Sequence, residues 1–295
     1  MRPMVRVLAT IVALTAIASP AFAQKQVQLL TMVSDPNGGE VTTLEPKDVH
    51  VFENGQPVTV TKVEPVQRVA KLQILIDEGS GMPSESIGDL RKAVGGLIAA
   101  IPPGVETTLV TTAPQPRFLE KATTDHDKLV QAVTRLAPDQ GVGHFVDSLL
   151  EAVERIDKDS NKDAAYTIVT VGTTSGDGDA RQADVNKIVD RVRARQTVIY
   201  AIVYNKIGTS ASSGSIQLDL AQSLGPGSGG RSEIINIPNR LVTLLPEIGT
   251  QMAKTLGPGA RQFRITVDRS SAGALGPMSL SVEGKAASNV RIERK

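Results

Sequence analysis

The 295-residue chain contains no cysteine and no tryptophan, and aromatic residues make up only 3% of it. The missing cysteine excludes disulfide frameworks, thiolate metal sites, iron–sulfur clusters and thiol catalysis. So few aromatic side chains argue against a surface on which sugars or single-stranded nucleic acid would stack. The 32 basic and 31 acidic residues nearly balance, so the sequence lacks the excess of Lys and Arg that nucleic acid binding requires. The hydrophobic content of 40% is enough for a buried core.

The first 23 residues have the character of a secretory signal peptide. Arg2 and Arg6 precede an apolar stretch at 7–18, and an Ala-Phe-Ala tripeptide at 21–23 forms a small-x-small cleavage site. An apolar stretch of about a dozen residues is too short for a helix that crosses a membrane. The sequence therefore predicts cleavage near Ala23 and a secreted or periplasmic protein without a membrane span.

The middle of the chain alternates short apolar strands with helical patterns. Strand-like runs lie at 72–76, 107–112, 167–171 and 198–204, and apolar residues at helical spacing lie between them. This alternation is typical of a mostly parallel sheet covered by helices on both faces. The predicted fold class is α/β with a doubly wound, mostly parallel sheet.

Both ends of the chain instead alternate apolar and polar residues with the period of two that antiparallel strands have. We expect four segments: a signal peptide at 1–23, a β segment at 24–68, an α/β domain at 69–257 and a second β segment at 258–295. Each β segment alone would leave unpaired strand edges. We therefore expect the two to pair in one small, discontinuous β unit.

Function is expected at the loops that follow the strands, because ligands of parallel sheets bind at the carboxyl ends of the strands. The first strand runs into Asp77 and then a glycine-rich turn, E-G-S-G-M, at 78–82. Two further motifs accompany this turn. One is the leader L-E-P-K-D-V-H-V-F-E-N-G-Q-P at 44–57, and the other is L-A-Q-S at 220–223 followed by G-G-R at 229–231. In this order the motifs resemble the von Willebrand factor A (VWFA) domain of bacterial secreted proteins, over essentially the whole mature chain.

The resemblance implies a metal-ion-dependent adhesion site that this sequence has largely lost. The family places Asp-x-Ser-x-Ser after the first strand, a Thr on a second loop and an Asp after a later strand. Asp77 holds the first position, and residues without a side-chain oxygen hold the other four: Gly79, Gly81, Gly143 and Val171. Magnesium and calcium require six or more oxygen ligands, so the sequence predicts no metal and no cofactor. Restoring the four oxygens is expected to rebuild the site if the loops keep the family geometry.

Other candidate sites carry weaker signals. Ser80 on a strand–turn–helix connection and His144 before a helix are the only plausible parts of a hydrolase, but Glu78 replaces the first glycine of G-x-S-x-G. The glycine-rich stretch at 225–230 lacks the G-K-[ST] of a phosphate-binding loop and is interpreted as a flexible connection. The acidic stretch at 175–179 lacks EF-hand spacing and is interpreted as a solvated loop, with Asp179 as a helix cap.

The sequence favours an exported, non-enzymatic module that binds a protein partner, with no role in nucleic acid binding. Asp77, Ser80, His144 and Thr173 are the candidate residues of the partner-binding loops. The alternative is a hydrolase or a periplasmic protein that binds a small molecule through the same loops.

Overall fold

The computed structural model describes residues 26–35, 41–66, 69–161, 164–177, 179–205, 215–256, 260–269 and 275–293. The predicted signal peptide lies outside these residues. The strands are β1 Gln26–Ser34, β2 Val49–Glu53, β3 Gln56–Val66, β4 Ala70–Ile76, β5 Glu106–Thr111, β6 Arg117–Thr123, β7 Ala165–Thr173, β8 Val198–Tyr204, β9 Arg231–Ile235, β10 Ala260–Asp268, β11 Met278–Val282 and β12 Ala286–Glu293. The α-helices are α1 Ile87–Ala100, α2 His126–Thr134, α3 Phe145–Lys158, α4 Gln182–Arg195, α5 Ser215–Gly227 and α6 Leu241–Leu256.

A six-stranded sheet in the order β6-β5-β4-β7-β8-β9 occupies the middle of the chain. All its neighbouring strands are parallel except β6, which pairs antiparallel with β5 at the edge. The central strand β4 is apolar on both faces because helices cover both. Ile74 and Ile76 pack with residues of α1 and α6, whereas Leu75 packs with residues of α3, α4 and α5. The predicted doubly wound, mostly parallel α/β fold is confirmed.

The two ends of the chain form a second six-stranded sheet in the order β11-β2-β3-β10-β1-β12. β10, from the carboxyl-terminal segment, lies between β1 and β3 of the amino-terminal segment and is antiparallel to both. Alternate residues of these strands, among them Leu29, Val51 and Phe263, meet in one apolar core. The expected discontinuous β unit is therefore present.

A tight hairpin and a buried ion pair fix the register of this second sheet. Asn54 and Gly55 join β2 to β3 with positive φ values of 52° and 77°, the geometry that an Asn-Gly hairpin turn needs. The guanidinium of Arg269, which follows β10, donates to both carboxylate oxygens of Glu53, with Nε 2.9 Å from Oε2. Gly276 donates its N–H to the same carboxylate at 3.1 Å. The carboxyl-terminal segment is thus bonded to the hairpin of the amino-terminal segment.

The glycine-rich stretch at 225–230 is not the flexible connection that the sequence predicted. Gly225, Pro226 and Gly227 form the last turn of α5, and Leu220 and Leu224 on the preceding turns are buried. The N–H groups of Ser228 and Gly230 donate to the carbonyl of Gly225, which closes the helix end. The expectation was wrong because the packing of Leu220 and Leu224 in the core outweighs the local preference of Gly-Pro-Gly for a loop.

None of the helices in the described ranges has the length and apolar character that crossing a membrane would require.

Candidate functional site

Three loops meet at the carboxyl end of the parallel sheet. They are the loop after β4, the loop before α3 and the loop after β7. Backbone hydrogen bonds connect them: Asp77 donates to the carbonyl of Val171 at 2.8 Å, and Ser80 donates to the carbonyl of Gly141 at 2.8 Å. The N–H of His144 donates to the carbonyl of Thr112, after β5, at 3.2 Å. The loops that carry the candidate residues therefore form one connected layer.

The carboxylate of Asp77 lies at the centre of this layer, and only 1% of the residue is exposed. Its Oδ1 accepts the N–H of Gly79 at 2.9 Å, and its Oδ2 accepts the hydroxyl of Thr173 at 2.7 Å. Asp77 therefore accepts an N–H group of the glycine-rich turn that follows it and the hydroxyl of the last residue of β7. Burial raises the pKa of Asp77 above its ordinary value, and the hydrogen bonds from Thr173 and Gly79 oppose the rise.

The glycines at three positions where the family resemblance implies ligands allow the loops to approach closely. A Cβ atom on Gly143 would lie 2.1 Å from Oδ2 of Asp77, and one on Gly81 would lie 2.2 Å from the Thr173 hydroxyl oxygen. A Cβ atom on Gly79 would lie 2.6 Å from the carbonyl oxygen of Gly141. Each distance is far below van der Waals contact, so no residue with a side chain fits without a shift. The space beside the three glycines is occupied by the Asp77 carboxylate, the Thr173 hydroxyl and the Gly141 carbonyl.

The last ligand position requires a correction. Val171 was assigned there from the sequence, but its side chain is buried in the core beside Ile76 and Leu244, under α1 and α6. The side chain that reaches Asp77 is that of Thr173, two residues later and on the same face of β7. Thr173 was predicted to face a partner, yet it is 1% exposed and bonds inward.

The acidic loop after β7 contains a structural residue that the sequence analysis missed. Asp177, at a positive φ of 53°, is 5% exposed and accepts the N–H groups of Phe145 and Val146 at 2.9 and 3.1 Å. It therefore caps α3 from another loop. Asp179, the predicted cap, is exposed, and Arg181 rather than Asp179 precedes the first residue of α4. An Asp-Gly pair inside an acidic loop is the only sequence signal, since such pairs favour left-handed backbone.

Among the described residues, one group of three side chains could together hold a metal ion. These are His144, Asp147 and Asp177, whose potential ligand atoms lie within 4.8 Å of one another. Nδ1 of His144 lies 3.1 Å from Oδ2 of Asp147. Both oxygens of Asp177 already accept N–H groups, including Nε2 of the fully buried Gln217 at 3.1 Å. Burial raises the pKa of Asp177 to about 6, against the effect of these bonds. Asp177 thus accepts N–H groups at the amino-terminal end of α3. The positive end of the helix dipole lies there and repels a cation.

Glu78, the residue after Asp77, carries a second buried carboxyl group, and the residue is 1% exposed. Its Oε1 lies 3.3 Å from Nη2 of Arg117 on β6, while its Oε2 has no hydrogen-bond partner among the described residues. Burial raises the pKa of Glu78 to about 7, although Thr111 and Arg117 act in the opposite direction. The sequence analysis considered this residue only as a departure from G-x-S-x-G.

Little of the candidate set reaches solvent. Ser80 is exposed, and the His144 side chain is 25% exposed, whereas Asp77 and Thr173 are buried. Val142, beside them, is 44% exposed. No hydrogen bond links Ser80 to His144 in the described part of the chain, and the imidazole is engaged with Asp147. Ser80 and His144 are thus the members of the candidate set that reach solvent, with Val142 beside them.

Comparison with solved structures identifies the fold. No protein-family model and no curated protein sequence matches the chain. The von Willebrand factor type A protein from Catenulispora acidiphila is 12% identical, with 92% of this chain and 74% of that chain covered at a TM-score of 0.51. The VWA domain of SpRpn10 is 18% identical, with 62% and 97% covered and a TM-score of 0.48. Manganese-loaded TRAP protein from Plasmodium vivax is 13% identical, with 77% and 81% covered and a TM-score of 0.45.

The likeness to the Catenulispora structure extends over 92% of this chain and, at 12% identity, concerns the fold alone. The family resemblance read from the motifs is thereby supported at the level of the fold. The chain contains a domain with the von Willebrand factor A fold.

Proposed function

We propose that the chain is an exported, non-enzymatic protein-binding module of the VWFA type that has lost metal-dependent ligand binding. Its partner would contact the surface formed by Ser80, Val142 and His144. Export rests on the predicted signal peptide, and protein binding rests on the resemblance to the VWFA family. The proposal combines a retained scaffold with a changed binding surface.

The observation that carries the proposal is the closed environment of the Asp77 carboxylate. Gly79 and Thr173 donate to its two oxygens at 2.9 and 2.7 Å, and the backbone of Gly143 packs against it. An ion at this point would have to displace these groups and would gain one charged ligand. One carboxylate with waters holds magnesium or calcium weakly, because both ions require several oxygen ligands.

The same geometry argues against the hydrolase alternative. A serine nucleophile requires a base within hydrogen-bond reach. The imidazole of His144 lies against Asp147, and the structure gives it no bond to Ser80. The buried carboxyls of Asp77 and Glu78 are covered by the loops themselves and are not open to a substrate. These loops are therefore better suited to contact a protein surface than to hold a substrate.

The test is differential cross-linking in the periplasm of a bacterial host, with the full chain. We expect a mature protein that begins at Gln24 and cross-links to the same partner with and without EDTA. Ser80→Arg should abolish the cross-link, because an arginine on the exposed turn would block a close approach. Ser279→Arg, on an exposed position of β11, is the matched control and should leave the cross-link unchanged. A cross-link that EDTA removes, or that Ser80→Arg leaves intact, would contradict the proposal.

A further inference from the structure

A groove of about 910 Å³ runs between α4 and α5, on the side of the parallel sheet away from α1 and α6. The groove extends from Gln182 and Ser215 at one end to Gln196 and Ser228 at the other. It therefore follows the whole length of α4, whose 14 residues span about 20 Å. It is separate from the loops around Asp77.

The groove has an apolar floor and polar rims. Three valines of α4 and three aliphatic residues of α5 form the floor: Val185, Val189, Val192, Ile216, Leu220 and Leu224. Side-chain amides of Gln182 and Asn186 border it on α4, and hydroxyls of Ser215 and Ser223 border it on α5. Floor residues such as Val189 and Ile216 are only half-buried, so part of their apolar surface faces solvent.

The polar rims select the shape of an occupant. The side-chain amides and hydroxyls along both rims can pair with backbone N–H and C=O groups. An extended polypeptide leaves these groups free for such pairing, whereas a helix uses them internally. An alkyl chain offers neither a donor nor an acceptor, so the rims favour an extended polypeptide over an acyl chain.

Two charges on the rims give the occupant a polarity. The carboxylate of Asp219, on α5, forms no ion pair with any residue that the structure describes. The guanidinium of Arg193, on α4, has a side chain that is 78% exposed, and its nearest carboxylate, Asp190, is 4.0 Å away. Both helices run antiparallel to the strands that they connect, so the two charges lie about 10 Å apart along the groove. This is the length of three extended residues.

The end of the groove beyond α4 holds an unused donor. Thr197 lines the groove and is 1% exposed, and its Oγ1 has no hydrogen-bond partner in the described part of the chain. Buried hydroxyls are normally paired, so an unpaired one beside a groove indicates a place for an acceptor from outside. Gln196, at a positive φ of 47°, turns the chain at this end and brings Thr197 close to Arg193.

We propose that the groove between α4 and α5 binds an extended peptide segment of a partner protein, with apolar side chains at alternate positions. A basic residue of the segment pairs with Asp219, and a carboxylate three residues later pairs with Arg193 at the end that holds Thr197. Alternate apolar side chains contact the floor, as they would on one face of a strand. This site is separate from the loop surface of the proposed function.

The probe is a fluorescent hexapeptide, Thr-Val-Lys-Val-Thr-Val, with a free terminal carboxylate, measured by fluorescence anisotropy on the full chain. We expect saturable binding with a dissociation constant of about 10⁻⁴ M. Val189→Glu, which places a charge on the floor, should abolish it. Val130→Glu makes the same change at a position of α2 that is 47% exposed and should leave binding unchanged. Amidation of the peptide carboxylate should weaken binding about tenfold.

A charge reversal at Asp219 tests whether the groove recognises the charge of the peptide or binds any apolar peptide. Asp219→Lys should weaken binding of the lysine peptide about tenfold and should prefer a peptide that carries glutamate at the same position. Ser80→Arg, on the loop surface, should not change either affinity, so this test and that of the proposed function fail independently. The proposal would be overturned if the parent protein showed no saturable binding of the peptide, or if the Val189→Glu variant bound it equally well. It would also be overturned if the groove bound palmitate and not the peptide.

Discussion

The buried carboxyl group of Glu78 makes the stability of the fold depend on pH in an unusual direction. Burial raises its pKa in the folded chain to about 7, above the ordinary value of 4.5. The folded state therefore favours the protonated form, and stability is lost as the pH rises through the folded pKa. A carboxyl that is ion-paired in the ordinary way would have the opposite effect.

We predict that Glu78→Gln stabilises the protein at about pH 8 by roughly 1–3 kcal/mol and has little effect at about pH 5. The amide resembles the protonated acid and needs no charge to be buried. Urea unfolding at the two pH values measures the difference. Glu85→Gln, at an exposed position, is the control and should change stability at neither pH. Equal pH profiles for the parent and Glu78→Gln would show that Glu78 ionises freely.

Gly143 is the residue at which the closed site is most sensitive to a side chain. We predict that Gly143→Ala destabilises the fold by about 1–3 kcal/mol, because the new Cβ would meet the Asp77 carboxylate at 2.1 Å. Gly95→Ala, in the middle of α1, places its Cβ in open space and should stabilise by about 0.5–1 kcal/mol. Thermal unfolding of both variants measures the contrast. A Gly143→Ala variant as stable as the parent would mean that the loops separate easily and that the site is not closed.

The family residues cannot simply be restored. The expectation that four substitutions would rebuild an oxygen cage assumed unchanged loop geometry. Serine at positions 79 and 81 and threonine at 143 would each clash with neighbouring atoms, and Val171→Asp would place a charge in the apolar core. The sequence shows which positions lack a side-chain oxygen, but not that neighbouring atoms of Asp77, Thr173 and Gly141 lie where new side chains would have to fit.

At the scale of elements, α3 depends on a cap supplied by a distant loop. Asp177→Ala should destabilise the fold by about 1–2 kcal/mol, because Phe145 and Val146 would lose the acceptor of their N–H groups and alanine disfavours the positive φ of 53°. The matched change Asp179→Ala, two residues later and exposed, should have almost no effect. Urea unfolding of the two variants decides between the caps. An equal or larger effect at Asp179 would contradict the assignment.

The β unit should lose its structure as a whole when its central strand is weakened. Phe263 on β10 is fully buried between β1 and β3, so Phe263→Ala should destabilise this unit by about 3–5 kcal/mol. Native-state hydrogen exchange should show faster exchange of the amides of β1 and β3, and unchanged exchange in β7. Loss of protection confined to β10 would contradict the pairing of the two chain ends.

Most elements were predictable because their residue patterns are locally consistent. The α1 pattern, the buried run of β4 and the Asn54-Gly55 hairpin each determine their own geometry. α5 was missed because Gly225, Pro226 and Gly227 favour a loop locally, while packing of Leu220 and Leu224 favours a helix. The contacts of Asp177 with α3 and of Glu78 with β6 join residues more than 30 positions apart. No local pattern reports such contacts.

At the scale of the molecule, one VWFA-type domain is inserted between the two halves of a β unit. The chain enters the β unit through β1–β3, forms the α/β domain and returns through β10–β12, and α6 contacts both β1 and β10. The sequence predicted this architecture from its change of period. The central claim that remains to be tested is that the domain works without a metal ion.

The most direct measurement is thermal unfolding of the parent protein with magnesium or manganese at up to about 10 mM, against EDTA. A ligand stabilises a protein by RT ln(1 + [L]/Kd), which vanishes when Kd far exceeds the ion concentration. We predict no change in Tm, because the oxygens of Asp77 are bonded to Gly79 and Thr173. In addition, the residues at positions 79, 81 and 143 are glycines, which offer no side-chain oxygen. A rise in Tm that grows with ion concentration would contradict this account and direct attention to His144, Asp147 and Asp177.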